Sequence, residues 1–300
     1  KKVIKARVSD GIHKPKELIE KAINENSEIP IYHHKENEEN EFEKIEQARN
    51  LYEKTTTCTI DQIFPFVFKY RGHEKIYATL SYSKVVIDEI QAYSPEVVAV
   101  ILKGLQMINN LNGKFMVMIA ILPRIYKEKL DEMGIKFEYN EFIKDTIRHK
   151  IWLVELEKNQ DIEEIKENSK NKKVLIIVNT INKAIEIYEK LKEEIVSNVN
   201  LLHSRFIQAD RSGKERNIKE FSKNRNEAGI WITTQIVEAS LDIDFDMLYT
   251  EMSTLDSLFQ RLGRCYRGRE YGENTPNVKI YIKDTSGVGY IYDKKSMKKV

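Results

Sequence analysis

The sequence predicts an α/β protein built as two parallel-sheet domains side by side. Three observations carry that prediction. Short β-branched runs alternate with amphipathic helical patterns along most of the chain, as βαβ units do. The alternation pauses at a polar stretch, residues 157–173, and restarts beyond it. One strand run also closes on a pair of carboxylates, at the edge where parallel sheets bind ligands.

In the first block, spanning 1–150, Lys84-Val85-Val86-Ile87-Asp88 reads as a buried strand. After Pro95, Val98, Ile101, Leu102, Leu105 and Ile108 repeat at helical spacing, and Asn112-Gly113 ends the helix. Phe115 to Ile121 is another apolar run, and Pro123 opens a helix to about Met133. In the second block, 151–300, strands are expected at Ile151 to Leu156, Val174 to Val178, Val199 to Leu202, Gly229 to Thr233, Met247 to Thr250 and Val278 to Ile282. A helix at 181–195 gathers Ile181, Ala184, Ile185 and Tyr188 on one face. Residues 157–173 read as a solvated helix or linker, and 33–50 as a surface loop with an exposed helix.

Composition narrows the class. Of 300 residues, 41% are hydrophobic and 32% charged, in the range of folded soluble domains. No apolar run approaches the roughly 20 residues that cross a bilayer, so no membrane role is expected. Cys58 and Cys265 are too few for a disulfide framework or a zinc site, which suits reduced thiols in the cytoplasm. With 49 basic and 47 acidic residues the net charge is only +2, so any nucleic-acid contact must rest on local patches.

Three segments carry chemistry. In Asp88-Glu89-Ile90-Gln91, the aspartate is placed to help hold Mg²⁺ and the glutamate to orient an attacking water. In Gln260-Arg261-Leu262-Gly263-Arg264-Cys265-Tyr266-Arg267, three arginines make poor core material and suit phosphate oxygens. Between them, Thr233, Thr234 and Gln235 follow a strand and can reach a nucleic-acid backbone. The alternating Asp242, Asp244 and Asp246 then face either a ribose or the arginines.

In this order and spacing, the segments resemble motifs II, V and VI of superfamily 2 helicases. Further stretches resemble the CRISPR-associated helicase family of type I systems: Thr57-Cys58-Thr59-Ile60-Asp61-Gln62, Phe68-Lys69-Tyr70-Arg71-Gly72-His73-Glu74, Leu202-His203-Ser204-Arg205-Phe206 and Glu238 through Asp246. The likeness runs over roughly residues 55–285. It implies two RecA-like lobes, ATP and Mg²⁺ as cofactors, and 3′-to-5′ movement along single-stranded DNA. It further implies recruitment to a crRNA-guided surveillance complex and an HD-type nuclease, fused or separate.

Residue by residue, the resemblance gives Asp88 the metal and Glu89 the water. Gln260, Arg264 and Arg267 sense or stabilise the γ-phosphate, and Asp242 stands near the ribose or the arginine finger. Thr59, Asp61 and Gln62 line the DNA path on the first lobe; Thr233, Thr234, Gln235 and Arg205 line it on the second.

Three departures accompany the likeness. No Gly-x-x-x-x-Gly-Lys-[Ser/Thr] occurs. The first lobe is therefore expected to be incomplete at its N-terminus, and these 300 residues alone to be inactive as an ATPase. No His-Asp dipeptide marks an HD nuclease. The segment matching motif III is Ile119-Ala120-Ile121-Leu122-Pro123, with isoleucine where the family has hydroxyls. The rival readings are another superfamily 2 DNA or RNA helicase, and a non-catalytic nucleic-acid-binding module derived from one.

Overall fold

The computed structural model describes residues 2–7, 47, 50–119, 122–143, 145–155, 161–194, 198–238, 241–283 and 285–292. The chain divides into two compact units, Lys1–Glu141 and Phe142–Val300.

Among the described residues, the first unit forms a four-stranded parallel sheet in the order β2-β1-β3-β4. Its strands are β1 (Lys2–Arg7), β2 (Thr55–Thr59), β3 (Ser83–Asp88) and β4 (Lys114–Met118). The helices are α1 (Ile60–Ile63), α2 (His73–Tyr82), α3 (Pro95–Asn110) and α4 (Arg124–Glu132). β1 pairs on both sides, from Val3↔Thr55 to Arg7↔Thr59 and from Lys2↔Ser83 to Ala6↔Ile87. α3 starts with a proline, whose missing N–H has no partner in a first turn anyway. Its buried Val98, Ile101, Leu102, Leu105 and Ile108 are the residues at helical spacing. The helix ends as the dipeptide suggested: Asn112 is left-handed (φ 59°), and the Gly113 N–H donates to the Ile108 carbonyl at 3.0 Å. A Cβ on Gly113 would come within 2.9 Å of the Leu80 carbonyl oxygen, so only glycine fits there. Of the polar stretch 33–50, all but Gln47 and Asn50 lies outside the described residues.

Among the described residues, the second unit holds six parallel strands in the order β5-β10-β9-β6-β8-β7. They are β5 (Ile151–Val154), β6 (Lys173–Ile177), β7 (Val199–Leu202), β8 (Gly229–Thr233), β9 (Met247–Glu251) and β10 (Val278–Tyr281). Helices α5 (Ile162–Ser169), α6 (Ile181–Glu194), α7 (Gln208–Lys223) and α8 (Leu255–Leu262) connect them. Strands β6, β8, β9 and β10 are buried throughout, which explains the apolar runs Val174–Ile177 and Ile230–Ile232, while β9 and β10 also bury Thr250, Glu251 and Lys279. Alternation splits β6 between two cores: Leu175 and Ile177 join one, Val174 and Ile176 the other.

Within the solvated helix or linker expected at 157–173, a helix does form as α5, residues 157–160 lie outside the described residues, and the expectation of full solvation is corrected. Ile165 of α5 is buried against the sheet, and the buried Lys279 of β10 pairs with Asp161 (3.1 Å) and with Glu164. The charge run conceals one apolar anchor and two carboxylates that face inward. β6 then begins at Lys173, still inside the stretch.

Candidate nucleotide and nucleic-acid site

In the first unit, β3 delivers Asp88 to the carboxyl edge of the sheet, in register with Met118 of β4. Glu89 turns the chain off the strand in the left-handed region (φ 56°), an uncommon conformation for a glutamate. Its N–H donates to the Met118 carbonyl at 2.9 Å, and its carboxylate accepts from the Gln91 amide. Buried Ile90 pins the turn that follows. Both carboxylates therefore stand half-buried and fixed at the strand end. Mg²⁺ is commonly held by one or two protein carboxylates, completed by water and phosphate oxygens. Asp88 offers one such carboxylate, with Glu89 beside it, and no group of three or more potential metal ligands occurs among the described residues. Ile119, just past β4, packs against this unit's core; Ala120 and Ile121 lie outside the described residues.

Thr59, Asp61 and Gln62 stand where β2 leaves the same sheet. The Thr59 N–H donates to Gln62 Oε1 at 3.1 Å and caps the one-turn helix α1, with Asp61 exposed beside it. A structural role thus accounts for the Thr-x-x-Gln spacing before any ligand is invoked.

In the second unit the arginine segment separates into three environments. Arg261 is 0% exposed, which corrects the expectation that these arginines make poor core material. Its guanidinium donates to Glu238 Oε1 (2.6 Å), Thr250 Oγ1 (3.0 Å), the Glu251 carbonyl (2.9 Å), Asn179 Oδ1 (2.8 Å) and the Tyr292 hydroxyl (3.0 Å). A buried cation is tolerable when its donors are satisfied in this way. Burial pushes the Glu238 carboxyl up, and Arg261 opposes that shift. Asn179, Thr250 and Glu251 lie at or just beyond the carboxyl ends of β6 and β9, so this one side chain ties those ends to α8. Glu251 is itself held by the Asn179 N–H (2.6 Å) and the Ser286 hydroxyl (2.6 Å).

Arg264 is half-buried and donates to the Leu241 carbonyl at 2.6 Å and to that of Glu238. Arg267 is exposed, with Asp242 at 3.3 Å. The three alternating aspartates therefore face the arginine segment: Asp244 accepts from the Arg267 N–H (3.0 Å) and Arg269 Nε (2.9 Å), and Asp246 from Arg269 Nη1 (2.8 Å) and the Lys173 N–H (2.9 Å). Arg269 also lies over the Tyr266 ring at 4.2 Å. Gln260 is half-buried on α8 next to Arg261.

The residues expected on a DNA path are placed unequally. Thr233 and Thr234 are buried, and the Thr233 hydroxyl donates to the Ile176 carbonyl at 3.4 Å. Gln235 donates to the Asn179 carbonyl at 2.8 Å. Arg205 is exposed, with Asn182 Oδ1 at 3.5 Å. His203 is buried and stacked on Phe206, ring centroids 4.2 Å apart, and burial holds it below the usual histidine range.

Sequence reading missed Arg261, Glu238 and Asn179 as a unit. One signal was available: Leu258, Arg261 and Leu262 share a helical face, which places the arginine among core leucines. Cys58 and Cys265 form no disulfide among the described residues, and burial raises the Cys58 thiol to about 12. Among the described residues, no helix is long and apolar enough to cross a membrane.

Comparison with known proteins agrees with this geometry. A family model described as CRISPR-associated nuclease/helicase Cas3, C-terminal, matches residues 170–270. The CRISPR-associated nuclease/helicase Cas3 of Methanothermobacter thermautotrophicus is 33% identical over 266 residues, covering 83% of this chain and 32% of that relative. The crystal structure of T. fusca Cas3-AMPPNP superposes with a TM-score of 0.69 at 18% identity, covering 84% of this chain and 35% of that one. A chain of a CRISPR RNA-guided surveillance complex, pre-nicking, also gives 0.69, at 17% identity, covering 99% of this chain and 40% of that one. At such identities the solved structures speak to fold alone: the units are RecA-like parallel-sheet lobes. The chain spans about a third of the length of the curated relatives it matches. From the ordered motifs, the matched family model and the relatives together, the chain belongs to the CRISPR-associated Cas3 family of superfamily 2 helicases.

Proposed function

We propose that this chain supplies the ATP-driven motor of a CRISPR interference helicase that moves 3′ to 5′ along single-stranded DNA in the cytoplasm. The observation that carries the reading is the Asp88–Glu89 pair, fixed at the carboxyl end of β3 by the Met118 carbonyl and Gln91. Asp88 would hold Mg²⁺, which when bound neutralises phosphate charge. Glu89 orients the attacking water. In the second unit Arg267, exposed beside Asp242, stabilises charge that develops on the γ-phosphate. Arg264 acts from a rest position on the carbonyls of Glu238 and Leu241, which it must release to reach a phosphate. Gln260 and Asp242 position the nucleotide beside these arginines.

Thr59, Asp61, Gln62, Arg205 and Gln235 contact the DNA, while Thr233 and Thr234 support the strand end beneath it. The partners are a crRNA-guided surveillance complex and an HD-type nuclease, fused or separate. The relatives' printed names join nuclease with helicase, and one structural neighbour is part of such a surveillance complex, which supports the assignment.

The test is translocation by the complete protein on single-stranded tracks blocked at either end. Movement that needs ATP and displaces the block at the 5′ end supports the proposal. ATP-independent binding alone, or movement only towards the 3′ end, would contradict it.

A further inference from the structure

The loop Phe68-Lys69-Tyr70-Arg71-Gly72-His73 interleaves aromatics with cations, and the motor chemistry above makes no use of it. Phe68 is 69% and Tyr70 45% exposed, although both rings are large enough to fill a core. Lys69 and Arg71 are exposed, and no carboxylate pairs with either among the described residues. Lys75 follows on the same helix start, with Glu74 the one acid in the stretch. The loop is thus a local cationic patch on a chain whose net charge is only +2.

The backbone holds this patch in a set shape. Lys69 (φ 52°) and Gly72 (φ 92°) are both left-handed, and the Lys69 and His73 N–H groups each close a turn at 3.0 Å, on the Phe66 and Tyr70 carbonyls. The His73 ring also bonds the Tyr70 carbonyl at 2.7 Å. Below the loop, Phe64 and Phe66 are buried, and Phe66 stacks on Tyr77 at 5.5 Å. The aromatics therefore project from a rigid base, so ordering them on a ligand costs little.

β2 leaves at the carboxyl edge, and β3 enters at the amino edge directly after α2. The chain returns through the short 3-10 helix Phe64–Phe68 and then α2, and the loop joins these two elements downstream of Asp61 and Gln62.

We propose that this loop is a stacking platform for the bases of single-stranded DNA, with Phe68 and Tyr70 taking base faces and Lys69 and Arg71 the adjoining phosphates. Aromatic rings serve every base because each has a π-face, and interleaved cations track the backbone. A protein-binding surface would more commonly bury its aromatics at a centre poor in lysine. The proposal rests on the motor reading above.

The test uses the complete protein, a fluorescent oligo-dT and an abasic oligonucleotide of the same length. Wild type should favour the base-bearing strand. Phe68→Ala/Tyr70→Ala should weaken oligo-dT binding about tenfold or more and leave the abasic affinity unchanged. Phe68→Tyr/Tyr70→Phe should restore the preference. Lys69→Gln/Arg71→Gln should weaken both ligands and flatten the salt dependence by roughly 1.4 in the log–log slope. Unchanged oligo-dT affinity in the alanine variant overturns the platform. So does normal DNA binding with lost association to the surveillance complex, which would make the loop a protein interface. Wild type that binds neither oligonucleotide overturns the motor reading itself, and is told apart from the other results without any variant.

Discussion

The two units present their carboxyl edges in opposite ways. In the first, Asp88 and Glu89 are positioned by backbone: a strand end, one left-handed residue and a neighbouring strand's carbonyl. In the second, side chains do the positioning, with Arg261 joining residues from β6, β9, α8 and the Glu238 turn. An edge set by backbone should tolerate side-chain change structurally and lose only chemistry. An edge set by a buried ionic network should lose its fold when a member is removed.

The sharpest way to break that contrast is within the arginine segment. Arg267→Ala should reduce ATP turnover on the order of 10³-fold, as removal of an arginine finger does, with single-strand affinity and unfolding midpoint nearly unchanged. Steady-state ATPase and DNA titration read this directly. Arg261→Ala should instead destabilise the second unit by about 3–5 kcal/mol, because Glu238 would remain buried without its cation. Denaturant unfolding measures it, and a midpoint equal to wild type would mean that the network does not hold this edge. Breaking the more exposed pair with Arg269→Ala should cost only about 0.2–1 kcal/mol.

Acid should sharpen the comparison further. Burial holds His149 and His203, both in the second unit, below the ordinary histidine range. The unfolded chain takes up these protons near pH ~6.5, before the folded chain does. Stability is therefore full above that range and falls as pH drops through it. Thermal unfolding between pH 7.5 and 5.5 should show the loss, and His203→Gln should reduce its slope. The smallest effect concerns coupling. Ile119 packs against the first unit's core, so Ile119→Thr should leave the fold intact, at a cost of roughly 1 kcal/mol. Together with Ile121→Thr it should raise the base pairs unwound per ATP by the complete protein. An unchanged ratio would leave Ile119 as a core residue only.

Much of this arrangement was legible in the sequence because it is local. Val174 to Val178 and Gly229 to Thr233 read as strands since burial on both faces demands unbroken apolar runs. The alternating Asp242, Asp244 and Asp246 showed their common direction in their spacing. What stayed hidden depends on distant partners. Helical spacing places Arg261 with Leu258 and Leu262, but the partners that satisfy it there, such as Asn179 82 positions away, are not visible locally. β1 was missed because its lysines and arginine mask a strand that gains its place by pairing on both sides. α5 read as solvated because its charges are numerous, and its anchoring cation, Lys279, stands more than a hundred residues later.

The central claim is that Asp88 and Glu89 serve ATP hydrolysis. It is tested most directly by measuring ATP turnover of the complete protein, with and without single-stranded DNA, for wild type and Glu89→Gln. The expected result is turnover that DNA stimulates in wild type and that falls by roughly 10²-fold or more in the variant, with DNA binding retained. Turnover in Glu89→Gln equal to wild type would contradict the account.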